Sequence, residues 1–162
     1  MFFMLFSSFV IPQDVEEISP QKAFEMLRNP STYLIDVRSI AEYVFIEHPE
    51  MAANIPLMFW SEKKQKLIEN TNFLQNVEPL FKKEDTLIFI CRSGGRSLKA
   101  AKLAKNSGFC NVLSIEEGFE GKKDKKGLRT INGWKNRQLP YTYELNESLI
   151  YQPQTKSDPK KK

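Results

Sequence analysis

The chain has very few of the residues that build disulfide frameworks or metal sites. Its 162 residues include two cysteines, Cys91 and Cys110, and one histidine, His48. Two cysteines that form no close pair do not make a disulfide framework, and one histidine cannot supply a Cys/His metal cluster. We therefore expect no metal and no disulfide, in keeping with a reducing, cytoplasmic compartment. His48 precedes a proline in a predicted loop, so we expect an ordinary surface histidine rather than a general base.

The body of the chain also lacks an excess of charge of one sign. The formal net charge is +4. Most of that excess comes from the last eleven residues, which hold Lys156, Lys160, Lys161 and Lys162 against Asp158. The remaining residues are nearly balanced, so we expect no nucleic-acid partner. A basic stretch at 120–129 is predicted to be a solvated loop, which can also attract an anionic substrate.

No apolar run in the sequence is long enough to cross a membrane as a helix. Residues 1–11 are apolar but too short, and they lack the basic flank and small-residue cleavage site of a secretory signal. We interpret 1–14 as an N-terminal extension without function, with no stable membrane association. At the other end, 146–162 is basic and rich in proline and lysine, so it is predicted to be a disordered tail. Residues 15–145 then form a single domain.

Within that domain, short apolar strands alternate with helical patterns. Strands are predicted at 33–37, 55–60, 86–90 and 111–115, and helices are predicted to begin after Ser19, Ser39, Asn72 and the glycines at 94–95. The alternation predicts an α/β fold, with a central parallel sheet and helices on both faces. The lysine-rich stretch 61–70 is predicted to be a solvated loop. Cys110, which follows Phe109, is predicted to be buried, because nothing nearby would activate it.

The most informative stretch runs from Thr86 to Ser107, where a buried strand is followed by a polar loop and a helix. The loop reads Cys91-Arg92-Ser93-Gly94-Gly95-Arg96-Ser97. A helix N-terminus presents free amide N–H groups and partial positive charge, and the loop adds further amides and two cations. We therefore expect Cys91 to be a reactive nucleophile with its thiolate favoured. The alternative is a buried structural cysteine, but two glycines and two arginines are poor material for a core.

A second polar cluster follows the strand at 33–37. Asp36 ends this strand and Arg38 follows it, so both lie at the carboxyl edge of the sheet, where ligands of such folds gather. Ser39 and Glu42 fit a capping box, and Arg38 is predicted to pair with Glu42 across that turn. We expect Asp36 and Arg38 to support the site through ion pairs rather than to touch substrate.

Together these motifs resemble the rhodanese (thiosulfate sulfurtransferase) family. The segment Cys91–Ser97 is similar to the active-site loop of that family, and Asp36-Val37-Arg38 with Glu42-Tyr43 is similar to its first signature. Residues 118–121 and 132–134 resemble the end of single-domain bacterial members. Residues 46–55 depart from the family pattern, since the familiar Gly-His-Ile-x-Gly-Ala stretch is absent.

The resemblance implies a rhodanese-like fold and a sulfurtransferase activity. Cys91 would take a sulfane sulfur from thiosulfate or a similar donor as a persulfide and yield it to a thiol or cyanide. The substrate-binding residues would be Arg92, Ser93, Gly94, Gly95, Arg96 and Ser97. No cofactor is implied. The expected partners are a small anionic sulfur donor and a thiol or protein acceptor.

The sequence is also compatible with two other functions. Cysteine-dependent phosphatases and arsenate reductases place a cysteine and an arginine around a similar loop. Those loops hold one more residue between the two than the four found here, and Ile90 stands where a histidine would precede the cysteine. The third possibility is a non-catalytic rhodanese-like binding domain, against which the intact Cys91 argues.

Overall fold

The computed structural model describes residues 14–152. The predicted extension up to residue 13, and residues 153–162 of the predicted tail, therefore lie outside the described residues. The strands are β1 (Glu16–Ile18), β2 (Thr32–Asp36), β3 (His48–Pro49), β4 (Ala53–Asn54), β5 (Met58–Ser61), β6 (Lys66–Glu69), β7 (Thr86–Ile90), β8 (Asn111–Ile115) and β9 (Tyr141–Thr142). The helices are α1 (Pro20–Met26), α2 (Ile40–Phe45), α3 (Phe73–Val77) and α4 (Gly95–Asn106).

A five-stranded parallel sheet forms the centre of the fold, in the order β1-β8-β7-β2-β4. This sheet confirms the predicted α/β class. The apolar run of β7 is buried on both faces, because alternate side chains point to opposite sides of a strand. Leu87 and Phe89 face α3 and α4, while Ile88 and Ile90 face α1.

Two apolar cores cover the two faces of this sheet. On one face, small residues of α4 (Ala100, Ala101 and Ala104) let the helix approach the strands closely. On the other face, Trp134 is fully buried, and its Nε1 donates to the Pro140 carbonyl at 2.9 Å. Trp134 therefore packs in the core on this face of the sheet. Burial of a large side chain of this kind contributes about 1.5–3 kcal/mol to folding.

Serine side chains cap two of the helices, as the sequence predicts. The Ser19 hydroxyl accepts a hydrogen bond from the Lys22 amide at the start of α1. Ser39 and Glu42 make both bonds of a capping box at the start of α2. Asn72 precedes α3 but makes no side-chain capping bond. It stands at the N-cap position, so the helix begins where it was predicted, and its amide donates to the Asn70 side chain at 3.0 Å.

The region from 53 to 70 differs from the sequence prediction. Of the strand predicted at 55–60, only residues 58–60 are extended, as part of β5, which pairs with β6 in an antiparallel hairpin. The strand that joins the parallel sheet here is β4, which ends just before residue 55. The stretch 61–70 is therefore not a solvated loop throughout. Leu67 and Ile68 lie between Lys66 and Glu69 in β6 and are half-buried opposite Trp60 and Phe59. Cross-strand pairs of this kind stabilise a hairpin whose turn remains polar.

Two single residues also differ from their predictions. His48 is buried rather than on the surface, because β3 pairs with the distant β9 and the ring stacks on Tyr43 at 3.8 Å. Its Nδ1 donates to the Tyr43 carbonyl oxygen at 2.9 Å. Cys110 is exposed rather than buried, because its neighbour Phe109 occupies the core and β8 begins only after it.

Residues just before the end of the described chain pack along the outer edge of the sheet. The Asn54 amide of β4 donates to the Leu149 carbonyl at 2.7 Å. The Tyr151 ring packs against Phe59 at 5.6 Å, and its hydroxyl accepts from the Asn76 side chain. The ordered chain thus continues past the predicted domain boundary at 145. No helix within residues 14–152 has the length and apolar character needed to cross a bilayer.

Candidate active site

The candidate nucleophile lies where β7 gives way to α4. Cys91 directly follows β7 and is 1% exposed. Its Sγ accepts a hydrogen bond from the Gly94 amide at 3.2 Å and lies 3.4 Å from the Ser97 Oγ. Asp36 and Ile90 are register partners at the ends of β2 and β7. The two predicted polar clusters are therefore neighbours at the carboxyl edge of the sheet.

Ser97 can adapt to either protonation state of the thiol. Its hydroxyl donates to the Gly94 carbonyl at 2.7 Å, and a hydroxyl has only one hydrogen. While this bond is made, a Cys91 thiol can donate to the Ser97 oxygen. If the sulfur loses its proton, the Ser97 hydroxyl can rotate and donate to it.

The loop that carries this sulfur has main-chain amides without hydrogen-bond partners. In the described part of the chain, the amides of Ser93, Gly95 and Arg96 have no hydrogen-bond partner. Gly95 and Arg96 open α4, which is 12 residues long, so its dipole adds positive potential at this end. Free amides at a helix N-terminus form an anion-binding site. The loop can therefore hold an anionic sulfur species.

Only one of the two loop glycines is required by the backbone. Gly94 has φ 103°, and a Cβ there would lie 2.2 Å from the Glu116 carbonyl oxygen. Gly95 has no atom within 4 Å of such a Cβ. Position 94 alone therefore needs a glycine at this turn.

A turn at 118–121 supports the cysteine loop through main-chain hydrogen bonds. The Phe119 amide donates to the Cys91 carbonyl at 2.7 Å, and the Glu120 and Gly121 amides donate to the Arg92 carbonyl at 3.0 and 3.2 Å. Gly118 has φ 68°, and a Cβ there would lie 2.5 Å from the Ser93 nitrogen. The resemblance placed a glycine-rich turn here, but its contact with the cysteine loop was not predicted.

The Arg96 side chain is not free to bind a ligand with its terminal nitrogens, because both are bonded to Glu42. The two guanidinium nitrogens donate to the two carboxylate oxygens at 2.7 and 2.6 Å, and both side chains are 16% exposed. Burial alone would raise the pKa of Glu42, but the hydrogen bonds and charge of Arg96, with bonds from Ser39, lower it to about 2. The predicted pairing of Glu42 with Arg38 is therefore wrong.

Arg38 instead pairs with Asp36 in the interior. Both side chains have no exposed surface, and Arg38 Nη2 donates to Asp36 at 2.7 Å and to the Glu47 carbonyl at 2.8 Å. The guanidinium also lies 4.5 Å from the centre of the Phe119 ring. Burial would lower the pKa of Arg38, yet the charge of Asp36 and its hydrogen bond raise it. Because both side chains are fully buried, this geometry suits the supporting role expected for them.

Arg92 is the second arginine of the loop, and its environment is different. Its side chain is exposed and has no ion pair or hydrogen bond among residues 14–152. Ser93 and Gly95 are also exposed. No cluster of His, Cys, Asp or Glu in the described chain could hold a metal ion. The accessible part of the loop therefore carries one unpaired cation and several free amides.

The comparison with known families fits this geometry. The family model for the rhodanese-like domain matches residues 19–125. The chain belongs to the rhodanese-like family. This rhodanese-like domain is 36% identical over 131 residues to an uncharacterized protein of Rickettsia prowazekii, covering 80% of this chain and 98% of that protein. It is 32% identical over 125 residues to the mitochondrial protein HIGH ARSENIC CONTENT 1 of Arabidopsis thaliana, covering 72% of each.

Solved structures share this fold. The crystal structure of Rv0390 from M. tuberculosis superposes on the rhodanese-like domain with a TM-score of 0.72 and 31% identity, covering 82% of this chain and all of that one. A polysulfide-sulfur transferase homodimer from Wolinella succinogenes has a TM-score of 0.56 and 20% identity, covering 80% and 79%. At that identity the second likeness concerns the fold.

Several residues that shape this rhodanese-like site were not assigned to it from the sequence. Glu42 was predicted to cap α2, and its bond to Arg96 in α4 was missed. His48 was expected on the surface, although it stacks on Tyr43 beside the main-chain oxygen that Arg38 binds. The acidic-aromatic pair of the first signature, Glu42-Tyr43, was the available signal for both contacts.

Proposed function

We propose that this chain is a sulfurtransferase that carries a sulfane sulfur as a persulfide on Cys91. The observation that supports this most directly is the Cys91 sulfur held by the Gly94 amide inside a loop with further free amides. These amides suit a thiolate or a persulfide anion. Membership of the rhodanese-like family and the name of the Wolinella structural neighbour point the same way.

In the loading step, the Cys91 thiolate attacks the outer sulfur of thiosulfate. A Cys91–sulfur bond forms, the sulfur–sulfur bond of the donor breaks, and sulfite leaves with the electron pair. The terminal sulfur of the new persulfide carries the negative charge. Donors fixed in advance around a developing charge can lower a barrier by several kcal/mol. The free amides of Ser93, Gly95 and Arg96 would act in this way.

The anionic donor would be bound by Arg92 rather than by both loop arginines. Arg92 is exposed and unpaired in the described chain, whereas Arg96 is bound by Glu42. In the second step, an acceptor thiolate attacks the outer persulfide sulfur and Cys91 leaves as a thiolate. Neither step needs a cofactor. Because acceptor thiols must stay reduced, we place the reaction in a reducing compartment such as the cytoplasm.

A second candidate function is oxyanion chemistry of the arsenate or phosphate type. It is favoured by the name of the Arabidopsis relative. In such a reaction the loop arginine would wrap a tetrahedral oxyanion opposite the cysteine. Here both terminal nitrogens of the Arg96 guanidinium already donate to the Glu42 carboxylate. In addition, the loop holds only four residues between Cys91 and Arg96. The geometry therefore favours sulfur over an oxyanion.

Intact-protein mass spectrometry after incubation with thiosulfate tests the proposal. We expect the mass to rise by one sulfur atom, located on Cys91, and to return to its initial value after treatment with cyanide or a thiol. Arsenate serves as the competing substrate in a parallel incubation with a thiol reductant. No sulfur adduct together with steady formation of arsenite would favour the second candidate. Neither product from folded, reduced protein would favour a non-catalytic binding domain.

A further inference from the structure

The loop that follows the turn at 118–121 holds several exposed lysines. We name residues 121–132 the basic loop. Lys123, Lys125 and Lys126 are exposed there, and their ammonium groups have no ion pair or hydrogen bond within residues 14–152. Leu128 and Ile131 are 59% and 60% exposed beside them. Exposed cations and exposed apolar side chains thus share one loop.

This loop is ordered by its own hydrogen bonds. The Asp124 carboxylate accepts from the amides of Lys126 and Leu128 at 2.8 and 3.0 Å and from the Thr130 hydroxyl at 2.8 Å. Lys123 and Arg129 form an antiparallel bridge, and the Asn136 side chain donates to three main-chain oxygens of the loop and its flanks. A surface that is already ordered loses less entropy when a partner binds.

The base of the basic loop is attached to the cysteine loop. The Gly121 amide donates to the Arg92 carbonyl at 3.2 Å, and the preceding Glu120 amide donates to the same oxygen at 3.0 Å. The main chain that carries these exposed cations is therefore tied to the residue that follows Cys91. A partner bound to the basic loop would be held near the cysteine loop.

The distribution of charge fits a macromolecule better than a small anion. A small anion needs several donors that converge on one point. The three lysines are spread along an exposed loop and accompanied by Leu128 and Ile131. Complementary charge around apolar contacts is typical of protein–protein interfaces, where it speeds encounter and orients the partner. Nucleic acid would leave the two apolar side chains without a partner.

We infer that the basic loop docks an acidic protein whose cysteine exchanges sulfur with Cys91. This inference rests on the proposed function, since the docked cysteine is the acceptor of the persulfide sulfur. Its thiolate attacks the outer sulfur, the bond between that sulfur and Cys91 breaks, and Cys91 leaves as a thiolate. The proton of the acceptor thiol goes to solvent, and no external oxidant or reductant is needed.

The test uses two synthetic peptides, each with one cysteine and one leucine. In the first, the cysteine is flanked by aspartate and glutamate, and in the second by asparagine and glutamine. Protein is first loaded with thiosulfate, and loading is verified by mass. Single-turnover transfer to each peptide is then measured at low and high salt. We expect the acidic peptide to react faster by at least about tenfold at low salt, with the advantage shrinking as salt rises.

Two triple variants separate the basic loop from net charge alone. The first changes Lys123→Glu, Lys125→Glu and Lys126→Glu. The control changes Arg28→Glu, Lys82→Glu and Lys102→Glu, which are exposed positions outside both loops with the same change in charge. The first variant is expected to lose the preference for the acidic peptide, and the control to keep most of it. Transfer to 2-mercaptoethanol should be similar in all three proteins.

Equal rates for the two peptides, or an equal loss in both triple variants, would overturn the inference. A loop that binds a labelled RNA at the same salt but shows no peptide preference would be a nucleic-acid site instead. If thiosulfate does not load Cys91, the proposed function fails. Fluorescence anisotropy of the labelled peptides on unloaded protein then still decides whether the basic loop prefers the acidic one.

Discussion

The Glu42 carboxylate holds the Arg96 guanidinium through two charge-assisted hydrogen bonds, although 54 residues separate them in sequence. Glu42 lies in α2 and Arg96 in the first turn of α4, so the pair joins the first polar cluster to the cysteine loop. Bidentate pairs of this kind fix orientation as well as charge. Arg96 consequently supports the loop, and Arg92 is the arginine that we propose binds the substrate.

The stabilising effect of Glu42 should depend on pH. Its folded-state pKa of about 2 lies below that of an unfolded glutamate, so its ionised form stabilises the fold at neutral pH. That contribution is lost as the pH falls from about 5 toward 2 and is on the order of 3 kcal/mol. Glu42→Gln should therefore lower the free energy of unfolding at pH 7, and the difference from the parent should shrink in acid. Urea unfolding of both proteins across this pH range measures the difference in their free energies of unfolding.

Glu78→Gln provides the matched control for that series. Glu78 pairs with Lys83 at 3.0 Å, but both side chains are well exposed. Exposed pairs of this kind contribute about 0–1 kcal/mol, so this variant should differ little from the parent at any pH. A Glu42→Gln difference that stays constant from pH 7 down to the acid limit would contradict the assignment.

The two loop glycines should respond in opposite ways to alanine. Gly94→Ala places a Cβ 2.2 Å from the Glu116 carbonyl oxygen at φ 103°. It should cost at least about 2 kcal/mol from backbone strain alone and reduce sulfur transfer. Gly95→Ala meets no atom within 4 Å and should leave stability within about 1 kcal/mol or raise it slightly. Urea unfolding and thiosulfate:cyanide assays on both variants compare them, and equal losses would refute the distinction.

The two cysteines should differ completely in their effect on activity. Cys91→Ser should abolish thiosulfate:cyanide sulfur transfer, because serine does not form a persulfide. Cys110→Ser should retain most of it, since Cys110 is exposed beyond the end of α4, at the opposite end of that helix from the cysteine loop. An inactive but folded Cys110→Ser protein would reverse the assignment of the nucleophile.

Arg92→Ala should affect binding of the donor more than stability. Its exposed side chain makes no bond in the described chain, so the melting temperature should hardly change. Loss of a charge-assisted contact to thiosulfate costs about 1.5–3 kcal/mol, which corresponds to at least a roughly tenfold rise in KM. Arg28→Ala, another exposed arginine, is the control. Unchanged kinetics in Arg92→Ala would show that the donor is bound by the amides alone.

The length of the cysteine loop should select sulfur over phosphate. The parent protein should transfer sulfur and show negligible hydrolysis of aryl phosphates. One glycine inserted between Ser93 and Gly94 would move the Gly94 amide away from the Cys91 sulfur, so sulfur transfer should weaken while oxyanions such as phosphate or arsenate become better ligands. A glycine inserted after Gly127, in the basic loop, is the control for insertion itself. Robust phosphatase turnover by the parent that disappears in Cys91→Ser would contradict the sulfurtransferase proposal.

The parts of the fold that follow from local pattern were predictable from the sequence. β7 is an apolar run and β8 is mostly apolar, both at their predicted positions, and α4 has helical spacing after the loop. The capping box of Ser39 and Glu42 is a four-residue motif and was also found. Each of these features depends on residues within one turn or one strand.

Contacts between distant segments were the ones that sequence reasoning missed. β3 and β9 are two-residue strands far apart in the chain. Because two residues carry no periodic pattern, the burial of His48 could not be predicted from the sequence. The spacing of Arg38 and Glu42 favoured a local ion pair. Arg38 lies before the helix rather than on its face, however, and it turns back to Asp36 instead.

The contact between Asn54 and Leu149 also protects the protein from self-association. β4 is the last strand of the parallel sheet, and such an edge offers unpaired main-chain groups to any other strand. The segment that carries Leu149 occupies this edge in the folded chain. A chain shortened to end at residue 145 would keep the cysteine loop intact. It would also expose the edge of β4, so we expect aggregation through strand pairing although the geometry of the cysteine loop is kept.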